Sequence, residues 1–283
     1  VVGQVSSIKN IGRCIKSSGL KMANITLEPL ASSDAVLSNE EKEAGVALID
    51  IGGGTTDLAI FKDGIIRHTA VIPFGGNVIT DDIKEGCAII EKQAELLKIK
   101  FGSAWPGENK ETEIVSIPGL RGRDPKEISL KTLSKIINAR VVEIIEQVFL
   151  EIKNYGHGDN KNKLIAGIVL TGGGSQLNHL KQLVEYITGM DTRIGYPGEH
   201  LAGDSSDNTS PMFATAVGLL MNALESSKYS KASEINENIE ATDNVEEEEN
   251  NITKNKKVIN NEFSKRSTFE KWVDKFKEFL DNA

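Results

Sequence analysis

The strongest constraint on the fold is a pair of glycine-rich turns, each of which follows an apolar run. Residues 46–51 are apolar except for Asp50, and Gly52–Gly54 follow them directly. Residues 164–170 form a second apolar run, and Gly172–Gly174 come shortly after it. Short apolar runs bounded by glycine are typical of buried strands. Two strands that end in such turns suggest two walls of one nucleotide cleft, provided that the turns face each other.

The first turn carries the residue types that phosphate and Mg²⁺ binding require. Its sequence is Asp-Ile-Gly-Gly-Gly-Thr-Thr-Asp, residues 50–57. Glycines let backbone N–H groups approach an anion closely, and hydroxyls add further donors. A carboxylate at a strand end can hold the water shell of a Mg²⁺ ion, a role we assign to Asp50. The expected phosphate-binding residues are Gly52, Gly53, Gly54, Thr55 and Thr56. The alternative is a tight hairpin in which the glycines serve geometry alone.

The second turn is expected to open a helix. A glycine-rich turn from a strand to a helix directs the free N–H groups of the helix N-terminus toward a ligand. Taken alone, this turn also fits a plain strand-to-helix connection, and its value lies in the pairing with the first turn. The expected ligand-binding residues are Gly172, Gly173, Gly174 and Ser175. The sequence has neither a GxxxxGK[ST] motif nor a GxGxxG motif, which excludes a P-loop enzyme and the usual dinucleotide site.

The elements between these turns predict an α/β fold. Asp63-Gly64 separates two apolar runs, the strongest short signal of a hairpin, and the flanking strands are expected near 55–61 and 65–73. Helices are predicted near 78–88, 91–101, 129–155, 177–187 and 211–224, and a further strand near 112–117. Strands that alternate with helices in this way are typical of an α/β core.

Composition and charge exclude several classes of protein. The chain has no apolar run of about 18 residues, so no segment reads as a membrane-spanning helix. A net charge of −8 argues against a nucleic-acid partner, whose binding surface is concentrated and basic. Cys14 and Cys87 lie far apart and are expected to be buried thiols, since a zinc site needs more ligands.

The last part of the chain changes character twice. Residues 225–262 hold ten acidic residues, five lysines and a single aromatic residue, so we expect a disordered acidic linker over 225–266. Residues 267–283 regain a helical apolar stripe with lysines beside it, which is typical of an amphipathic helix lying in the plane of a membrane. The alternative is a helix that docks on protein. The expected membrane-contacting residues are Phe269, Trp272, Val273, Phe276, Phe279 and Leu280.

The order of motifs resembles that of the superfamily containing actin, the sugar kinases and DnaK. The segments 28–33 (Glu-Pro-Leu-Ala-Ser-Ser) and 214–220 (Ala-Thr-Ala-Val-Gly-Leu-Leu) are similar to its two connecting elements. The two glycine-rich turns are similar to its second phosphate loop and its adenosine loop. The resemblance implies an actin-like, ribonuclease-H-like ATPase lobe with an ATP cleft. The superfamily's first phosphate loop has no counterpart here, so we expect an N-terminal part to be missing and the nucleotide site to be incomplete.

Within the superfamily, the chain resembles the FtsA family of bacterial cell-division proteins over about residues 11–224. The resemblance rests on residues 63–69, on 73–83 (Pro-Phe-Gly-Gly-Asn-Val-Ile-Thr-Asp-Asp-Ile), on 94–102 and on the loop 119–123. It implies ATP and Mg²⁺ as cofactors, with Glu95 and Lys98 at the ribose or base; positions i and i+3 lie on one helix face, so both can reach one site. The wider resemblance to DnaK-type proteins implies that Glu28, on a connecting strand, lies near the attacking water and positions it or Mg²⁺; the alternative is a surface charge. At most, it implies a weak ATPase.

The resemblance also implies a domain plan. Residues 1–44 would end the first lobe and form the connecting element, and 45–76 would be second-lobe core with the phosphate loop. An inserted small subdomain would cover 77–157, and 158–224 would return to the core with the adenosine loop. The linker 225–266 and the amphipathic helix 267–283 complete this plan.

The same resemblance implies partners and a location. The C-terminal peptide of the tubulin-like protein FtsZ would dock on the small subdomain, and the expected contacts are Arg140, Glu143, Arg121 and Arg123. Self-association into filaments would multiply weak membrane anchors, because linked anchors bind with avidity. The expected location is the cytoplasmic face of the bacterial cell membrane at the division site, where the protein would tether the FtsZ ring.

Two other functions within the superfamily stay open on sequence alone. One is a pilus-assembly ATP-binding platform, which would lack the C-terminal helix. The other is a sugar-kinase-type phosphotransferase, which would need a carboxylate for the sugar and has no use for an amphipathic tail.

Overall fold

The protein was analysed as a computed structural model that describes residues 4–119, 124–156, 162–200 and 209–226. The chain divides into two compact units, Val1–Leu224 and Glu225–Ala283, and the fold is that of the first unit. Apart from residues 225 and 226, the expected linker and amphipathic helix lie outside the described residues.

The described residues form seven strands and eight α-helices. The strands are β1 (Val46–Ile51), β2 (Thr56–Lys62), β3 (Ile65–Ile72), β4 (Ile114–Ile117), β5 (Lys126–Ser129), β6 (Ile168–Thr171) and β7 (Thr192–Ile194). The helices are α1 (Val5–Ser17), α2 (Glu28–Val36), α3 (Asn39–Ala44), α4 (Gly76–Cys87), α5 (Glu91–Phe101), α6 (Leu130–Asn154), α7 (Leu180–Thr188) and α8 (214–226). The α/β fold class is confirmed.

A five-stranded mixed sheet organises the core, in the order β3-β2-β1-β6-β7. Strand β1 is antiparallel to β2 and parallel to β6. All six residues of β1 are buried, as expected of a central strand that is covered on both faces. Alternate residues of the strands contribute to two separate apolar clusters, so the sheet has a layer on each side.

The predicted hairpin is confirmed. Asp63 and Gly64 join β2 to β3 with φ angles of 54° and 74°, and Lys62 pairs with Ile65. Positive φ at both central residues defines a type I′ turn, whose twist matches that of the strands it connects.

The two faces of the sheet are covered by different elements. Ile49 and Ile60 pack with buried residues of α4, α6 and α7 in one cluster. Leu48 and Phe61 pack in the other cluster, with Val36 of α2 and with residues at the start of α8. The segment between β3 and β6 contains α4, α5, the small antiparallel sheet of β4 and β5, and the long helix α6.

Three local expectations were wrong. Glu28 begins helix α2 rather than lying on a connecting strand, and Pro29 occupies its first turn, where the missing N–H of proline has no helical partner to lose. The strand predicted over 164–170 begins only at Ile168, because the apolar run turns at Gly167 with φ +69°. Cys14 is exposed on α1, whereas Cys87 is buried as expected.

No helix among the described residues is long and apolar enough to cross a membrane.

Candidate functional site

The two glycine-rich turns lie at the same edge of the sheet. Strands β1 and β6 are parallel neighbours, and Asp50 pairs in register with Thr171. Because both strands end at this edge, the turns that follow them are brought together. The contact is direct: a Cβ added to Gly174 would lie 2.4 Å from Cγ2 of Ile51.

Both turns line one cavity of about 560 Å³. From the first turn it is lined by Gly52 and Gly53, and from the second by Gly173 and Gly174. The sequence-predicted Glu95 and Lys98 line it as well. This cavity therefore gathers six of the residues that the motifs and the resemblance single out for a nucleotide.

The turns offer unpartnered backbone donors. Among the described residues, the backbone N–H groups of Gly53, Gly173 and Gly174 have no hydrogen-bond partner in the protein. All three residues line the cavity. Free N–H groups that meet at one concave site are a means of binding an anion such as a phosphate group.

The first turn is held in place by the segment that begins α4. The N–H groups of Gly76 and Asn77 donate to the carbonyl oxygens of Gly52 and Gly53, each at 2.8 Å. Gly75 allows this close contact, because a Cβ there would lie 2.6 Å from the carbonyl oxygen of Gly52. The phosphate-loop candidate is therefore fixed to α4.

A cluster of three acidic residues, Asp50, Glu28 and Asp57, includes the end of β1 and the first glycine motif. Asp50 is 7% exposed, and its pKa is raised to about 6, by burial first and then by the neighbouring Glu28 and Asp57 carboxylates. Desolvation, and then Asp57, also raise the pKa of Glu28. Ser32 opposes the shift at Asp50 by donating a hydrogen bond of 3.2 Å to Oδ2. Asp57, which sequence reasoning did not assign, belongs to this group and lies within the first glycine motif.

Residues able to coordinate a metal ion directly were sought in the described part of the chain. The described residues contain no group of three or more His, Cys, Asp or Glu side chains that could hold a metal ion. The single buried carboxylate of Asp50 fits an ion held through water molecules and ligand oxygens, which is the usual environment of Mg²⁺ beside a nucleotide.

Glu95 and Lys98 form an ordered pair on α5. The Lys98 ammonium donates to Glu95 Oε2 at 2.8 Å, to the Gly76 carbonyl at 2.8 Å and to Thr80 Oγ1 at 2.7 Å. An ammonium has three donors, and protein groups occupy all three. Burial raises the pKa of Glu95, but hydrogen bonds from Lys98 and Thr80 lower it overall. Of the pair, Glu95 has the freer oxygen for a ligand hydroxyl.

The structure does not bring every expected residue to the cavity. Thr56 and Ser175 are fully buried, and their hydroxyls donate to the carbonyl oxygens of Phe74 (2.8 Å) and Gly172 (2.7 Å). Thr55 is exposed, and its hydroxyl donates to Asp57 Oδ2 at 2.8 Å. Gly54 and Gly172 also lie outside the lining. These residues shape the turns around the cavity. Asp50 and Glu28 do not line the cavity either.

Sequence reasoning missed the apolar wall of the cavity. It consists mainly of residues from α4, α5 and α6, from the segment before α7 and from the first position of α7: Ile79, Ile99, Val141, Ile144, Ile145, Leu177 and Leu180. In the sequence, these positions belong to ordinary helical stripes and read as core. The second glycine turn was also expected to open a helix directly, but a 3₁₀ turn at Gly173–Gln176 precedes α7.

The expected partner-binding residues Arg140 and Glu143 lie together on α6. Arg140 binds both carboxylate oxygens of Asp82 on α4, with N–O distances of 2.6 and 3.0 Å, and contacts Glu143 at 2.6 Å. Arg121 and Arg123 lie outside the described residues, as do all the expected membrane-contacting side chains.

The fold defines the class of protein. It matches solved structures of the actin-like fold, including MreB5 of Spiroplasma citri bound to ADP, with a TM-score of 0.63 and 24% identity over 81% of this chain and 68% of that one. The MamK double helical filament matches with a TM-score of 0.58 and 16% identity, over 78% of this chain and 65% of that one. The chain therefore has an actin-like fold.

Sequence comparison gives the particular family. The family model for cell division protein FtsA matches residues 47–218, and the chain belongs to this family. The cell division protein FtsA of Neisseria meningitidis serogroup B is 42% identical over 220 residues, which make up 78% of this chain and 52% of that protein. The chain thus spans about half the length of this relative. The match favours a cell-division protein over the pilus-assembly and sugar-kinase alternatives.

Proposed function

We propose that the chain is part of an ATP-binding, actin-like cell-division protein that assembles at the membrane and tethers the FtsZ ring. The observation that carries the nucleotide part is the single cavity lined by both glycine-rich turns and by Glu95 and Lys98. Family membership supports the cell-division part.

The residues that line the cavity have the chemical groups that the parts of ATP require. The free N–H groups of Gly53, Gly173 and Gly174 suit the phosphates. The apolar wall suits the flat faces of a purine, and the Glu95 carboxylate suits ribose hydroxyls. Asp50 and Glu28 are the proposed residues for Mg²⁺ and for the attacking water, with Mg²⁺ neutralising phosphate charge when bound.

Equilibrium titration of the full chain with Mg²⁺-ATP tests the nucleotide site. Ile99 and Ile165 are both highly exposed, at 68% and 71%, but only Ile99 lines the cavity. Ile99→Asp should therefore weaken ATP binding about tenfold or more, because it places a negative charge beside the ligand and removes apolar contact. Ile165→Asp should bind as the wild type does. Absence of saturable binding, or equal effects of the two variants, would refute the site.

The membrane anchor is proposed from the sequence of residues 267–283. The full chain should sediment with vesicles containing anionic lipid, and Trp272→Asp should abolish most of this binding by breaking the apolar stripe. Asn282→Asp makes the same change in charge within the segment and serves as the control. Equal binding by wild type and Trp272→Asp would refute the anchor.

The docking of an FtsZ peptide is proposed on the surface that carries Arg140 and Glu143. Arg140→Ala should weaken binding of a labelled FtsZ C-terminal peptide about tenfold, because it removes a positive charge from the proposed docking surface and charge complementarity contributes to binding. Arg67→Ala removes an exposed arginine that is paired with Asp63 on the β2–β3 hairpin, and should have no effect. Fluorescence anisotropy measures both, and equal affinities would refute the assignment.

Self-association is proposed from the family and from the likeness to the MamK filament. Sedimentation velocity of the full chain with Mg²⁺-ATP should show species that grow with concentration. A single monomeric species at every concentration would contradict this part of the proposal.

A further inference from the structure

Helices α2 and α8 cross in direct backbone contact. A Cβ added to Gly218 on α8 would lie 1.8 Å from the carbonyl oxygen of Ala31 on α2. The neighbouring residues Ala35 and Ala214 are small and buried. Because no large side chain separates the helices, short polar side chains beside the crossing can reach across it.

A chain of hydroxyl groups runs from this crossing to Asp50. Thr215 Oγ1 on α8 lies 2.8 Å from Ser32 Oγ on α2, and Ser32 donates to Asp50 Oδ2 at 3.2 Å. Ser32 is fully buried. Since a serine hydroxyl has one proton and Ser32 gives it to the carboxylate, Thr215 must be the donor in the other bond. The donors therefore run in one direction, from Thr215 through Ser32 to Asp50.

The carboxylate of Asp50 is confined at both oxygens. Oδ2 accepts from Ser32, and Oδ1 lies where a Cβ on Gly172 would be only 2.3 Å away. One oxygen is thus directed to α2 and the other to the second glycine turn. Loss of the Ser32 hydroxyl would leave a buried carboxylate without this donor and free to rotate.

We propose that Ser32, supported by Thr215, is a positioning residue of the nucleotide site that orients the Asp50 carboxylate toward the Mg²⁺-bound phosphates. The proposal rests on the nucleotide site proposed above. Ser32 acts through Asp50 and needs no contact with the ligand. The same hydroxyl chain links the carboxylate to the crossing of α2 and α8.

Binding experiments on the full chain separate positioning from simple stabilisation. ATP affinity is measured once with excess Mg²⁺ and once with EDTA. The affinity with Mg²⁺ divided by the affinity with EDTA gives the contribution of the metal to binding. Ser32→Ala should reduce that ratio about tenfold, which is the effect of losing one hydrogen bond to a charged group. Thr215→Val should reduce it less, and Thr215→Ser should restore the wild-type ratio.

Ser33→Ala is the matched control. Ser33 is adjacent on α2 and equally buried, but its hydroxyl donates to the carbonyl oxygen of Leu30 at 2.8 Å rather than to Asp50. Its ratio should equal that of the wild type. An equal loss of affinity with and without Mg²⁺ in Ser32→Ala, or equal ratios in Ser32→Ala and Ser33→Ala, would overturn the positioning role alone. Absence of saturable wild-type binding would overturn the nucleotide site, and the positioning role with it.

A second readout needs no nucleotide. Urea unfolding of Ser32→Ala, Asp50→Ala and the double variant forms a thermodynamic cycle. If Ser32 holds the carboxylate, Ser32→Ala should lower the folding equilibrium constant about tenfold more in the wild-type background than in the Asp50→Ala background. Additive effects would show that the hydroxyl does not act on Asp50, and would overturn the proposal.

Discussion

Each of the two glycine-rich turns contains three consecutive glycines, but the structural causes of these glycines differ between the turns. In the second turn, Gly172 has a φ of +82°, and a Cβ there would meet Asp50 Oδ1 at 2.3 Å and the Ile51 carbonyl at 2.6 Å. In the first turn, Gly54 has no atom within 4 Å of an added Cβ, and Gly53 meets only the Asn77 side chain, at 3.2 Å. The second turn needs glycine to pack against β1, whereas packing explains little of the first.

This difference changes what each motif says about a ligand. Glycines that packing demands would be present even in a protein with no ligand, so Gly172 and Gly174 alone are weak indicators of binding. Glycines with open space beside them have no such structural cause, and for Gly53 and Gly173, which also line the cavity, we propose that close approach by a ligand is the reason. Within the second turn, only Gly173 has no atom within 4 Å of an added Cβ.

The largest expected effect is that of Gly172→Ala. Alanine at positive φ is strained, and its Cβ would overlap the backbone of β1 and the Asp50 carboxylate. The variant should lose about 3 kcal/mol or more of unfolding free energy, measured by urea denaturation of the full chain. A loss below about 1 kcal/mol would break the comparison, since the turn would then tolerate a side chain.

The next effect is the pH dependence caused by Asp50. Its pKa is about 6 in the folded protein, compared with 3.8 for an ordinary Asp carboxyl group, so the folded state binds the proton more tightly. Its contribution to stability is present below pH 3.8 and is lost as the pH rises through 6, a fall of up to about 3 kcal/mol. Asp50→Asn removes this loss and should be more stable than the wild type above pH 6. Parallel stability–pH profiles of the two proteins would contradict this.

A smaller effect is expected at the open position of the second turn. Gly173→Ala should change unfolding free energy by less than about 0.5 kcal/mol, since a Cβ there meets nothing. Because Gly173 lines the cavity, the same methyl group should weaken Mg²⁺-ATP binding about tenfold by crowding the ligand. Calorimetric titration beside urea denaturation gives both values. Unchanged affinity would show that Gly173 does not approach the ligand.

The smallest effect is expected at Gly54. It has open space for a Cβ and lies outside the cavity lining. Gly54→Ala should therefore change neither stability, by more than about 0.5 kcal/mol, nor ATP affinity, by more than about twofold. Urea denaturation and calorimetric titration measure these two quantities. A large loss of ATP affinity in the titration would mean that the ligand extends past Gly53 along the first turn.

The sequence predicted the parts of the fold that local signals determine. The dipeptide Asp63-Gly64 is typical of a type I′ hairpin turn, and the structure has that turn. Helix α5 has the predicted bounds, Glu91–Phe101. The predicted start of β6 was wrong, because an apolar run gives the same sequence pattern in a turn as in a strand. Glu28 was placed on a strand, although Pro29 is a signal for the first turn of a helix.

The site was predictable in its polar parts only. The glycine motifs stand out in the sequence, and the family resemblance singled out Glu95 and Lys98. Val141 and Ile144 line the cavity but look like any other core positions of α6. The saturation of Lys98 by three protein acceptors was also hidden, because the Gly76 carbonyl and Thr80 reach it only through the packing of α4 on α5.

Photoaffinity labelling of the full chain with 8-azido-ATP tests most directly whether the two turns and the apolar wall enclose one nucleotide. Mass spectrometry should find the label within residues 141–145 of α6 or within residues 177–180, where α7 begins, and excess ATP should prevent this labelling. Labelling confined to other segments, or labelling that excess ATP does not reduce, would contradict the shared site.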